Sequence, residues 1–221
     1  MIKRTVVLLG VLATAPVAVS AQGLGFGAFA GTLGIGGEAA IGVTDRVVFR
    51  GGYGFMPFEP SLTVSDLELT ADLPSSFHVG VDLYLNNAFR LGGGVLWRSD
   101  DPTVEGVFTS DQDIGGNTYT PGQIGTLTGV FDGRDRSPYV LIGFGRHTQP
   151  GIGLFVDVGV AFVGDPEITL GATGGSLNPS TDAGFRSALD QEATDMEQDA
   201  GSYLKLWPWL SLGVRVGLRQ N

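Results

Sequence analysis

The sequence predicts an all-β fold: a transmembrane antiparallel up-and-down β-barrel of eight to ten strands, with a short acidic amphipathic helix before the last strand. Three observations predict it. Apolar residues alternate with glycine, polar and charged ones through segments close to the ~9 to 11 residues that a tilted strand needs to cross a bilayer. An export signal precedes these segments, and no later run reaches the ~18 apolar residues of a membrane helix. Tight turns alternate with long connections, the pattern of barrels that carry short turns at one end and long loops at the other.

In this 221-residue chain, Lys3 and Arg4 precede an apolar run from Val6 to Val19, and Val19-Ser20-Ala21 supplies small residues for cleavage before Gln22. Residues 1–21 therefore read as a signal peptide and 22–221 as one outer-membrane barrel domain. Removing Lys3 and Arg4 from the 13 basic residues leaves 11 against 23 acidic ones, a formal charge of −12. Such a chain lacks the basic surface that neutralises phosphates, which excludes nucleic acid as a partner. With no cysteine, there is neither a disulfide framework nor a thiolate metal site.

The strands follow in order. Residues 24–31 are the first candidate. In 34–43, Ile35, Ala39, Ile41 and Val43 oppose Glu38, and in 46–55, Val47, Phe49, Tyr53 and Phe55 oppose Arg46 and Arg50. In 76–85, Phe77, Val79, Val81, Leu83 and Leu85 share one face, with His78, Asp82 and Tyr84 on the other. Segments 88–98 and 138–146 continue the series. In 151–162 the apolar set from Ile152 to Phe162 opposes Gly153, Asp157, Gly159 and Ala161, and 205–218 sets Leu206 to Leu218 against Ser211, Gly213, Arg215 and Gly217. Segment 166–173 is a ninth candidate, and 104–109 and 126–131 are weaker ones. A single-chain barrel needs an even number, hence the range of eight to ten.

Turn lengths fix the register. Thr44-Asp45, Asn86-Asn87-Ala88 and Gln149-Pro150-Gly151 read as tight turns, while 56–75, 99–137 and 174–204 are long. A three-residue loop at 86–88 pairs Leu85 with Phe89 and Tyr84 with Arg90, which sets Asp82 diagonal to Arg90. The turn after Val43 likewise sets Glu38 diagonal to Arg50. The charges Glu38, Arg50, Asp82, Arg90, Asp157 and Arg215 then line the lumen, beside His78 and Tyr84.

Several blocks resemble small Gram-negative outer-membrane β-barrel proteins of the outer-membrane protein A type: GTLGIGGEAAIGVTDRVVFRGGY, FRLGGGVLW, GGNTYTPGQIGTLTG, SPYVLIGFG, GLFVDVGVAFVGDPEITLGATGG and WPWLSLGVRVGL. The resemblance implies location in the outer membrane, outer-membrane lipid as surroundings, and insertion by the barrel assembly machinery. It carries over no catalytic residue. Leu218 stands near the end, where such barrels usually place an aromatic residue.

Each chemical feature has a plain reading beside a sharper one. The inward charges form a structural network, because an unpaired charge in a filled lumen is costly and arginine's fork can bond several carboxylates. The sharper reading is the lining of a narrow pore for small polar or amphipathic solutes. His78 with Ser76 and Asp82 suggests a lipid-modifying enzyme, yet no nucleophile elbow surrounds Ser76, and same-face neighbours lie roughly 6 to 7 Å apart along a strand. No catalytic residue, cofactor or metal is assigned. His147 falls by a turn and is expected in solvent. The glycines of 31–37 lack a following lysine and serine or threonine, so they read as close packing rather than a nucleotide loop.

Residues 183–203 read as the helix. Phe185, Leu189, Met196, Ala200 and Tyr203 recur at helical spacing after Ser180-Thr181-Asp182, with Asp190, Glu192, Asp195, Glu197 and Asp199 on a polar face. A solvated face on a helix packed by the barrel rim is the expectation, since the spacing is not that of a calcium loop and anionic lipid would repel it. Tyr53, Phe55, Phe89, Trp97 and Phe162 suit interfacial girdles, and Trp207 and Trp209 point inward near a strand start. The reading is an integral outer-membrane barrel with a plugged lumen and a structural or surface-interaction role, whose long connections are the place for an extracellular ligand.

Overall fold

The structure, a computed structural model, describes residues 23–218; the signal peptide of the sequence reading lies outside them. Eight strands close a barrel: β1 (Gly23–Gly31), β2 (Gly34–Gly42), β3 (Val47–Phe55), β6 (Ser76–Tyr84), β7 (Phe89–Arg98), β12 (Arg136–Phe144), β13 (Gly151–Phe162) and β15 (Leu206–Leu218). Between them lie β4 (Ser61–Val64), β5 (Leu67–Asp72), β8 (Thr103–Phe108), β9 (Gln112–Ile114), β10 (Asn117–Tyr119), α1 (Pro121–Ile124), β11 (Gly125–Asp132), β14 (Glu167–Gly174) and α2 (Ala183–Leu204). The barrel order is β1-β15-β13-β12-β7-β6-β3-β2, antiparallel throughout, so no strand edge is left unpaired.

The period of two becomes two surfaces. Along β15 burial alternates from Trp209 to Leu218, with Ser211, Gly213, Arg215 and Gly217 inward and Leu210, Leu212, Val214 and Val216 outward. The outer face of the barrel is an exposed apolar belt that includes Phe49, Ile142, Leu154, Val158 and Leu212. A belt of this extent belongs in hydrocarbon. Tyr53 stacks on Phe55 and Phe77 lies against Trp97 toward one rim, as interfacial aromatics do. A charge in mid-belt is therefore expensive: Leu212→Arg is expected to destabilise the barrel by about 2–4 kcal/mol in lipid vesicles, read by urea unfolding. A neutral effect there would sink the belt.

The chain turns tightly at residues 43–46, 85–88 and 145–150 at one end, the turn end, and its three long excursions all leave the other, the loop end. The sequence expectation needs correcting here. Segment 166–173 is a strand, β14, but it pairs with β11 outside the barrel. With 104–109 and 126–131, it belongs to a second sheet of order β14-β11-β8-β5-β4, so the barrel has eight strands and the long connections are folded rather than loose.

Helix α2 starts where the sequence places it, with the Phe185 N–H donating to Asp182 Oδ1 at 2.9 Å. It packs on the second sheet rather than on the barrel rim: Phe185, Ala188, Leu189 and Ala193 are buried with Ile168, Leu170 and Ala172 of β14 and Ile114 of β9. Its acidic face is also only partly solvated. Glu197 Oε1 accepts the N–H of Ile168 on the edge strand at 2.7 Å, and Glu192 Oε2 accepts the Gly115 N–H at 2.9 Å. Met196 is exposed, and the side chains of Ala200 and Tyr203 lie outside the described residues.

Candidate functional site: the closed lumen

The inward face of each strand alternates bulk with space. Large side chains stand opposite glycines: Asp82 faces Gly92, Arg90 faces Gly143, His78 faces Gly52 and Arg215 faces Gly153. A Cβ at Gly143 would lie 2.5 Å from both Arg90 Cζ and Asp157 Oδ1, so the missing side chain is what admits the ion pair. The glycine-rich inner face is thus the complement of a few large residues.

Those residues meet as the turn lengths predict. Tyr84 pairs with Arg90, and Arg90 Nε lies 3.1 Å from the diagonal Asp82 Oδ2. Ala40 pairs with Arg50, which leaves Glu38 diagonal, and Arg50 Nη1 lies 3.2 Å from Glu38 Oε2. Arg50 also reaches Asp82 at 3.2 Å and, across the barrel, Asp157 at 2.6 Å. Asp157 bonds Arg90 through its other oxygen. Two guanidiniums and three carboxylates form one cluster, fully buried, with Arg90 and Asp157 at 0% exposure. Two arginines holding three acids through shared forks satisfy charges that would otherwise be prohibitive in a small lumen.

Arg215 is brought to the lumen but not to this cluster. It donates to the backbone oxygens of Gln149 and Gly151, so it is a clamp on a turn rather than a carboxylate partner. His147 overturns the expectation of a solvated turn residue: it is 1% exposed and bonds Glu38 through Nε2. Its backbone N–H donates to the Tyr84 hydroxyl at 3.1 Å, and Arg90 Nη1 donates to the Gly145 carbonyl at 2.5 Å. The 145–150 turn therefore folds back into the barrel and stops its turn end. The place of that turn was legible, but neither its length nor its direction was: Gln149-Pro150-Gly151 reads as a three-residue turn after a strand to 146, whereas β12 ends at Phe144 and the chain turns over 145–150.

Toward the loop end the lumen fills with rings. His78 lies between Glu38, 3.8 Å away, and an aromatic layer in which Trp209 is 5.0 Å from its ring centroid and Tyr139 6.4 Å. Phe29, Leu96 and Leu141 belong to the same buried cluster, Trp207 packs against it, and Phe155 carries it down to the infolded turn, its ring centroid 4.5 Å from that of His147. Above the aromatic layer, a cavity between Leu33, Ser76, Leu96, Arg98 and Trp207 has about 10 Å³, room for roughly one water. Asp82 is engaged by both arginines, and Ser76 Oγ has no hydrogen-bond partner among the described residues. Ser76, His78 and Asp82 therefore share a face without forming a proton relay.

Against known structures, the chain superposes on Acinetobacter baumannii CarO2 with a TM-score of 0.63 and 18% identity, covering 90% of this chain and 99% of that one. The match to Acinetobacter baumannii CarO has a TM-score of 0.60 at 18% identity, covering 89% and 97%. The fold is that of an outer-membrane β-barrel. No family model matches the chain, and no curated protein does. Identity this low shows the fold alone, so the function has to come from the barrel's own interior.

Proposed function

We propose that this outer-membrane barrel is a closed anchor, with a structural or surface-interaction role, that presents a folded sheet-and-helix unit outside the cell. One observation carries the reading: the lumen is stopped by the buried Arg50–Arg90–Glu38–Asp82–Asp157 cluster, between an infolded turn below and an aromatic layer above. Long connections face the exterior in barrels of this kind, and here they hold the second sheet and α2.

The rival is a narrow pore for small polar or amphipathic solutes. Its attraction is the charged lining, but in this barrel each of the cluster's five charges is bonded to another. Single-channel recording of the refolded chain in a planar bilayer separates the two readings. Silence is expected from the wild-type barrel and from Arg90→Ala, because the aromatic layer remains in place. Discrete steps whose size changes in Arg90→Ala would overturn the anchor and make the cluster a selective lining.

A further inference from the structure

The second sheet has one apolar face, on which Leu69, Val104, Leu127, Phe131 and Leu170 occupy matching register positions across four strands. Helix α2 covers the β14 side of this face. Over β5, β8 and β11 the face stays open beneath the helix, as a cavity of about 410 Å³. That volume falls within the roughly 300–1,000 Å³ of small-molecule sites.

Two glycines make the room. Gly106 of β8 and Gly129 of β11 line the cavity, and neither has the positive φ that would require glycine. A Cβ at Gly106 would come no nearer than 3.3 Å to another atom, and one at Gly129 no nearer than 3.4 Å, in each case to the end of a leucine side chain. The backbone would accept side chains at both positions; what their absence supplies is space above a sheet. Strand glycines without a conformational need mark places where something else approaches. Met196, an adaptable side chain, borders the same space from the helix.

The polar edge has one sign. Glu192 of α2 and Asp113 of β9 border the cavity, and among the described residues no lysine or arginine lines it. The Gly115 N–H holds one Glu192 oxygen at 2.9 Å, which fixes the carboxylate at the edge. An anion would meet two carboxylates and no base there, whereas a cation attached to an apolar body would satisfy both halves of the lining.

We propose that this cavity binds a small amphipathic cation, an apolar or aromatic body carrying a single ammonium group. The proposal rests on the reading of the loop end as a presented unit, but the two fail separately: conductance would remove the anchor and leave this binding intact.

The test is a fluorescence titration of the chain refolded into phosphatidylcholine nanodiscs, with dansylcadaverine as the cationic probe, dansylglycine as the anionic match and empty nanodiscs as the blank. Saturable binding of dansylcadaverine above the blank is expected, with dansylglycine weaker. The paired change Glu192→Gln and Asp113→Asn is expected to weaken the cation by roughly tenfold, as loss of a partly desolvated charge partner does. The glutamine can still accept the Gly115 N–H, so the fold is kept. Gly129→Leu fills the cavity and is expected to remove saturable binding. Equal affinity for the two probes, unchanged affinity in the doubly neutralised variant, or binding that survives Gly129→Leu would each overturn the proposal.

Discussion

Replacing Arg50 with methionine is expected to cost the folded barrel about 3–5 kcal/mol, the loss typical of removing one partner from a buried charge cluster. Arg50 is the hub: it holds Glu38 at 3.2 Å, Asp82 at 3.2 Å and Asp157 at 2.6 Å, and without it Asp82 and Asp157 are left to Arg90 and Glu38 to His78 and His147. Arg215→Met is the comparison, since among the described residues Arg215 bonds only the Gln149 side chain and the backbone carbonyls of Gln149 and Gly151. It should cost clearly less, because the carbonyls it leaves are neutral. Urea unfolding midpoints of both variants in lipid vesicles measure the difference. A cost for Arg50→Met below about 1 kcal/mol, the range of exposed ion pairs, would mean that the lumen is wet and the cluster is not a plug.

The halves of that cluster differ in how far they were legible. Glu38 with Arg50 and Asp82 with Arg90 follow from turn lengths and strand period, because each pair lies on neighbouring strands joined by a short turn. Arg50 with Asp157 does not. Those residues sit on β3 and β13, opposite each other in the closed order, and only closure brings them together. His147 was misread for a related reason: alternation describes strands, and a turn that folds inward has no period to read. The strand at 166–173 shows a third limit. Its Ile168, Leu170 and Ala172 alternate as a barrel strand would, but they face α2 instead of lipid. Period identifies a strand and its faces; which sheet it joins depends on partners such as β11, 35 or more residues away in sequence. The helix was legible from spacing and its Asp182 cap, whereas the use of Glu192 and Glu197 to bond backbone N–H groups was not, since that depends on where the sheet lies.

Phe185→Ala is expected to loosen the loop-end unit and leave the barrel standing. Phe185 is 1% exposed, its ring centroid lies 5.0 Å from that of Tyr119 of β10, and it belongs to the buried cluster that joins α2 to β9, α1 and β14 through Ile114, Ile124 and Leu170. Truncating a buried phenylalanine costs about 3–5 kcal/mol when the surroundings cannot collapse. Here they are held apart, since Gly115, at φ +56°, brings its backbone against Ala188 of the helix, and Glu192 ties the same turn to α2. The barrel's own contacts lie in a separate cluster around Phe29, Tyr139 and Trp209. Limited proteolysis should therefore cut the 99–135 and 163–205 excursions of the variant much faster than those of the wild type, while the heat-dependent gel shift of the folded barrel persists. Loss of that shift together with the protease protection would show that the unit and the barrel fold as one. The loop-end sheet would then be part of the barrel's own stability rather than a unit presented upon it.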